Sequence, residues 1–194
     1  MQSLPLTTVD AESLMSPAAV SRLPVAEVGD LRPTPVVEGV TAIARKDLAP
    51  LAADIDSGTV YPAELLRRLG EAGAWGSHRP KNGAADLCCA IQSISALGEV
   101  CGATAFMAWC QNTLAWYVTN SGNPALVARF ADGVSSGKIL GGTGLSNPMK
   151  TFFGIEKFKL RGRKVDGGYV VRGALPWVSN LGPDHLFGKI FEIE

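Results

Sequence analysis

The sequence predicts an α+β protein, an N-terminal helical bundle followed by a partial β-barrel or sheet. Two observations predict it. From about residue 34 to 136, apolar residues recur at helical spacing between capping signals. After Gly137 the period shortens to alternation around a Gly-Gly turn. The expected division is a lead-in over 1–33, a helical domain over 34–136 and an incomplete β domain over 137–194.

Residues 1–33 hold Pro5, Pro17, Pro24 and Pro33 among small polar residues without a sustained period, so they read as a mobile lead-in with one short helix near Ala18 to Arg22. Thr34-Pro35 is a cap and first-turn pair, with Glu38 suited to a helix N-terminus. Val36, Val40, Ile43, Ala44, Leu48 and Leu51 share one face, and Pro50 should kink or divide this helix because it lacks an amide donor. Pro62 opens a second helix, ended by Gly73, with Leu65, Leu66 and Leu69 inward and Glu64 paired to Arg68.

Asp86 caps a third helix whose stripe is Leu87, Ile91, Ile94, Leu97 and Cys101, closed by Gly102. Phe106, Trp109, Cys110, Thr113 and Tyr117 line a fourth, closed near Gly122. Asn123-Pro124 starts a fifth, with Leu126, Val127 and Phe130 inward. The expected interior of this bundle therefore includes Leu65, Leu69, Ile91, Ile94, Leu97, Phe106, Trp109 and Phe130.

In the β segment, Lys138 to Leu140 reads as a strand leading into Gly141-Gly142-Thr143-Gly144. Lys157 to Arg161 alternates, and Val165 and Tyr169 to Arg172 flank the hairpin signal Asp166-Gly167-Gly168. Leu186 to Ile193 reads as one more strand. So few strands leave edges to cover, and we expect a portion of a longer architecture.

Composition narrows the function. Lys+Arg and Asp+Glu are both 18 among 194 residues, so nothing argues for phosphate-backbone binding, and no nucleic-acid partner is expected. Ala103 to Val118 is too short and too polar to span a bilayer. Met1 to Leu6 lack a basic, apolar leader, so no membrane partner and a cytoplasmic location are expected. Cys88, Cys89, Cys101 and Cys110 form no Cys-x-x-Cys pair, and His78 and His185 do not flank them at ligand spacing. Free thiols are expected, with no metal site and no disulfide framework.

Gly141 to Ser146 offers closely spaced amides with little bulk. It matches neither the dinucleotide fingerprint nor a phosphate loop, and taken alone it favours a tight bend over a binding site. In Trp177-Val178-Ser179-Asn180, alternation would put Trp177 and Ser179 on one face and Val178 on the other. An indole there can stack on a flat ring while the hydroxyl bonds to its edge, although a lone strand tryptophan more often packs in a core.

The order of these segments resembles acyl-CoA dehydrogenases over residues 34–194. Ser146-Asn147-Pro148 is similar to the family's Thr-Glu-Pro segment, and Trp177-Val178-Ser179-Asn180 to its Trp-Ile-Thr-Asn segment, which together frame the isoalloxazine of FAD. Arg67 to Gly76 looks like the family's early helix followed by Leu-Gly, and Gly173 and Pro176 precede the tryptophan where the family has a glycine and a lysine-rich approach. The resemblance implies FAD as cofactor, with Thr143, Leu145, Ser146, Trp177, Val178 and Ser179 binding it. Leu145 and Ser146 would face the pyrimidine edge, Trp177 would stack, and Ser179 would bond near N5. The implied reaction is α,β-dehydrogenation with hydride transfer to flavin N5. The implied partners are a small-molecule substrate, acyl-CoA or a CoA-free analogue, and further copies of the full-length chain in a homo-oligomer.

Two departures qualify what carries over. The family's Gly-Ser-Asp, which faces the thioester tail, is replaced by Thr151-Phe152-Phe153, whose bulk would fill part of the pantetheine path. The family's C-terminal four-helix domain, with its catalytic glutamate, has no counterpart among these residues, so no catalytic base is assigned and weak FAD binding is expected. Two alternatives stay open: a flavin-dependent monooxygenase of the same fold, and a non-catalytic interaction module.

Overall fold

The computed structural model describes residues 33–79 and 85–194. The expected lead-in and its short helix lie outside the described residues.

Helix α1, Pro35–Ile43, starts as its sequence dictates: the Thr34 hydroxyl accepts from the Val37 amide at 3.3 Å, and Pro35 occupies the first turn. It runs through a π-helical turn, Ala44–Leu48, and a 3-10 turn, Ala49–Leu51, into α2, Ala52–Asp56. The change of hydrogen-bond spacing coincides with Pro50, which has no amide to continue the ladder. Val40, Ala44 and Leu48 are fully buried on the expected face.

Helix α3, Ala63–Glu71, buries Leu65, Leu66 and Leu69. The indole of the fully buried Trp75 donates to the Leu66 carbonyl at 3.0 Å. Gly73, at φ +93°, turns the chain after this helix. Glu64 pairs with Arg67 at 2.7 Å rather than with Arg68, which reaches Asp47 at 2.9 Å. The guanidinium nearer along the helix takes the carboxylate, and a tertiary partner takes the other.

Helix α4, Leu87–Gly98, is capped by the Asp86 carboxylate, which accepts from the Cys89 amide at 2.9 Å. It stops at Gly98, and Gly102 opens the next helix rather than closing this one. Cys101 is the N-cap of α5, Gly102–Thr119, its sulfur accepting from the Thr104 amide at 3.5 Å. Helix α6, Pro124–Ser135, begins on Asn123, whose side chain accepts from the amides of Ala125 and Leu126 at 3.1 and 3.2 Å.

The buried faces of α4 and α5 differ from the expected ones. Ile91 is 66% exposed, Phe106 53% and Trp109 46%, with Leu87 also in solvent. The inward residues are Cys89, Ala90, Ser93 and Leu97 on α4, and Thr104, Ala108, Gln111, Asn112 and Ala115 among those on α5. Small side chains let the two helices approach: a β-carbon on Gly98 would lie 3.6 Å from that of Ala105 on α5. Ile91, Phe106 and Trp109 are left outside. Leu65, Leu69 and Leu97 belong to the core, and Ile94 and Phe130 pack at its margin.

The β segment has five short strands: β1 Gly141–Thr143, β2 Leu160–Val165, β3 Gly168–Gly173, β4 Leu186–Gly188 and β5 Glu192–Ile193. Strands β1 and β4 pair in parallel; β2 pairs antiparallel with β3 and in parallel with β5. The hairpin turns at Gly167, φ +76°, as the Asp-Gly-Gly signal requires. Two expectations are corrected. Lys138 to Leu140 precedes β1 rather than forming a strand, since two carbonyls there and upstream, Ile139 and Val134, are taken by the Gln111 amide. Leu186 to Ile193 is not one strand but β4 and β5, in different sheets. Among the described residues no helix is long and apolar enough to cross a membrane.

Candidate functional site

Strand β1 is built for close backbone approach. A β-carbon on Gly141 would collide with the Leu186 carbonyl oxygen, and one on Gly142 with that of Ser179. The glycines therefore let β4 and the 177–180 segment both lie against β1. Thr143 follows, and its hydroxyl meets the Tyr117 hydroxyl at 2.9 Å and accepts from the Leu145 amide at 3.2 Å. Burial raises the Tyr117 phenol above its ordinary value, partly offset by that Thr143 contact.

Gly141 to Ser146 is not a bend between strands: it runs from β1 into a short helix, α7, Ser146–Phe152, which Ser146-Asn147-Pro148 begins. Asn147 is buried and organises the chain beyond it. Its amide nitrogen donates to Glu156 at 3.1 Å and to the Lys157 carbonyl at 3.0 Å, and its oxygen accepts from the Lys159 amide at 2.9 Å. Lys150 and Lys159 reach the Glu156 carboxylate at 3.1 and 3.2 Å. Hydrogen bonds from Lys150, then Asn147 and Lys159, hold that carboxyl down at about 2.

Trp177 and Ser179 do not share one face of a regular strand. The segment's β pairing among the described residues is a single bridge between Ser179 and Thr143. Trp177 is 70% exposed, while Val178 and Ser179 are half-buried beside β1. The Ser179 side chain contacts the Cys110 thiol, and burial pushes that thiol up to about 11 despite the contact. Trp177 and Ser146 flank one crevice with Asn147, Leu175 and Pro176, of about 10 Å³. That is room for roughly one water, so no flat ring fits between Trp177 and Ser146. The indole presents its surface to solvent instead.

Sequence reasoning quoted Asn180 without a role and missed Tyr61. Asn180 is buried at φ +59°; its amide nitrogen donates to the Gly141 carbonyl at 2.7 Å, and its oxygen accepts from the Tyr61 hydroxyl at 2.6 Å. Nothing local marks Tyr61, which lies 119 positions earlier. The cysteines Cys88, Cys89, Cys101 and Cys110 are free thiols, with Cys88 exposed and the others buried.

The family described as acyl-CoA dehydrogenase, N-terminal domain, matches residues 35–138. Among curated proteins, the mitochondrial isovaleryl-CoA dehydrogenase of Oryza sativa subsp. japonica is 30% identical over 153 residues, covering 74% of this chain and 36% of that protein. The mitochondrial 2-methylacyl-CoA dehydrogenase of Solanum tuberosum is 29% identical, covering 74% and 36%. The chain thus spans about a third of the length of these relatives. Butyryl-CoA dehydrogenase from Megasphaera elsdenii shares the fold at TM-score 0.61 and 22% identity, covering 71% of this chain and 38% of that one. Glutaryl-CoA dehydrogenase from Mycobacterium smegmatis, solved with FADH2, does so at TM-score 0.59 and 16% identity, covering 84% and 39%. The family match over residues 35–138, on a chain with this α+β fold, shows that it belongs to the acyl-CoA dehydrogenase family.

Proposed function

We propose that this chain supplies the flavin-facing part of an FAD-dependent acyl-CoA dehydrogenase-like oxidoreductase. The observation that carries the reading is Trp177, a bulky indole 70% exposed beside a polar, glycine-backed strand. Leaving that much aromatic surface in water has a cost, which a stacked planar ligand would remove.

The residues fit a flat ring laid against the open side of Trp177, and not one inserted between Trp177 and Ser146. Ser146 would offer its hydroxyl near the ring's edge, while Ser179, whose side chain meets the buried Cys110 thiol, would hold the segment beneath it. Thr143 has its hydroxyl engaged by Tyr117 and Leu145, so it would shape the approach rather than bind. Leu145 and Val178 would supply apolar and backbone contact. When bound, FAD would supply hydride acceptance at N5 in the α,β-dehydrogenation of an acyl substrate. The chain's own part is to stack, orient and exclude water on one side of that ring. The name of one structural neighbour, solved with FADH2, supports the choice of cofactor. A cytoplasmic location and homo-oligomeric assembly belong to the same proposal. The apolar Ile91, Phe106 and Trp109 left in solvent support assembly.

A second reading is favoured by α7 and the turn after it. Phe152, Phe153 and Ile155 are 54%, 76% and 70% exposed, and Phe152 meets Phe158 edge-on. Where a thioester tail would need polar contacts, this surface is aromatic, which suits a CoA-free substrate and flavin-dependent oxygenation.

Equilibrium dialysis of FAD against the chain and its Trp177→Ala variant tests the proposal. Weak, saturable binding that drops at least tenfold in the variant supports it. Equal uptake by both would remove Trp177 as the stacking surface. Dialysis of free CoA against the same chain would separate the two substrate readings, uptake favouring a CoA thioester and no uptake the CoA-free substrate.

A further inference from the structure

Asn180 is the sole non-glycine residue with positive φ among the described residues, at +59°. The left-handed region is unfavourable for most L-residues, and asparagine is among the side chains that tolerate it. Such a conformation persists where its surroundings over-determine it, and here they do. The side chain is used in both directions, donating to Gly141 and accepting from Tyr61, and the main-chain oxygen meets His185 Nδ1 at 2.8 Å. The Tyr61 and His185 rings lie 5.7 Å apart, closing the arrangement from the far side.

The residue matters because little else orders what precedes it. Trp177 and Val178 lie outside every strand, and the regular pairing of their segment is one Ser179–Thr143 bridge, with a 3.3 Å hydrogen bond. Tyr61 stands just before α3, its carbonyl accepting from Ala63 at 2.9 Å, so the contact ties the helical layer directly to the tryptophan segment.

We propose that Asn180, held by Tyr61 and Gly141, is a positioning residue that sets the Trp177–Ser179 segment against β1 and so places the indole for its ligand. The claim rests on the flavin reading for the ligand's identity, but not for the anchoring itself. Without the anchor, Trp177 would swing on a segment with one bridge, and a stacking surface that must be ordered on binding gives weaker affinity.

The test uses Tyr61→Phe, which keeps the ring and removes the donor, and Asn180→Gly, which keeps access to positive φ and removes both side-chain bonds. Amide exchange is followed by mass spectrometry in the absence of flavin, and FAD affinity by dialysis. The expected result is at least tenfold faster exchange in peptides covering 175–181 for both variants, with α4 and α5 peptides unchanged and FAD affinity lowered about tenfold. Tyr61→Phe keeps the test open if Asn180→Gly does not fold. Wild-type exchange over 175–181 in the variants would overturn the proposal. Faster exchange there with no FAD binding even by the wild-type chain would uphold the anchor and overturn the flavin reading.

Discussion

Gln111, in the middle of α5, holds the backbone of β1 in place. Its side-chain oxygen accepts from the Gly141 amide at 2.8 Å, and its nitrogen donates to the carbonyls of Val134 and Ile139 at 3.1 and 3.0 Å. One buried amide thus satisfies three main-chain groups at the point where the helical part passes into the β segment. Gln111→Met keeps the length and removes every bond. At ~1–3 kcal/mol for each stranded buried group, with water relieving part of it, we expect a loss of about 3 kcal/mol in urea unfolding. A loss under about 0.5 kcal/mol, typical of ordinary surface changes, would show that Gln111 merely fills space.

The helix faces make a second prediction. Leu97 is fully buried and Ile91 is 66% exposed on the same helix. Leu97→Ala should cost about 2–5 kcal/mol, and Ile91→Ala about 0.5 kcal/mol or less. Thermal or urea unfolding of the two variants checks this. Similar losses from both would return Ile91 to the core.

These residues also show what was legible in the sequence. Caps were, because their chemistry is local: Thr34, Asp86 and Asn123 each bond to amides two or three positions on. The Asp166-Gly167-Gly168 hairpin was legible for the same reason. The faces of α4 and α5 were not. Hydrophobic size is a poor guide where close helix packing selects Ala90, Ser93 and Ala108, and where Gln111 is buried for its hydrogen bonds. At the site, the Trp177 segment was marked by its motif, yet its place against β1 depends on Tyr61, and no local pattern announces a pairing across 119 positions.

Glu156 supplies a pH prediction. Its folded value of about 2 lies below the ordinary 4.5, because Lys150, Asn147 and Lys159 bond to the ionised form. A depressed carboxylate stabilises the fold above its unfolded value, and that contribution fades as pH falls from about 4.5 toward 2. Carbon-detected NMR titration should place the Glu156 midpoint near 2 in the native chain and move it upward in Lys150→Ala. An unchanged midpoint in that variant would mean that Lys150 does not hold the carboxylate.

On the proposed function, the exposed face of Trp177 receives the flavin ring. The most direct measurement is fluorine NMR of the chain labelled with 5-fluorotryptophan, with the Trp177 signal assigned from Trp177→Phe. Trp75, sealed in the core, serves as the internal reference for an intact fold. A saturable shift of the Trp177 resonance is expected with FAD and with FMN, which share the isoalloxazine, and none with AMP, while Trp75 stays in place. A Trp177 resonance that does not move at millimolar FAD, or that moves equally with AMP, would contradict it.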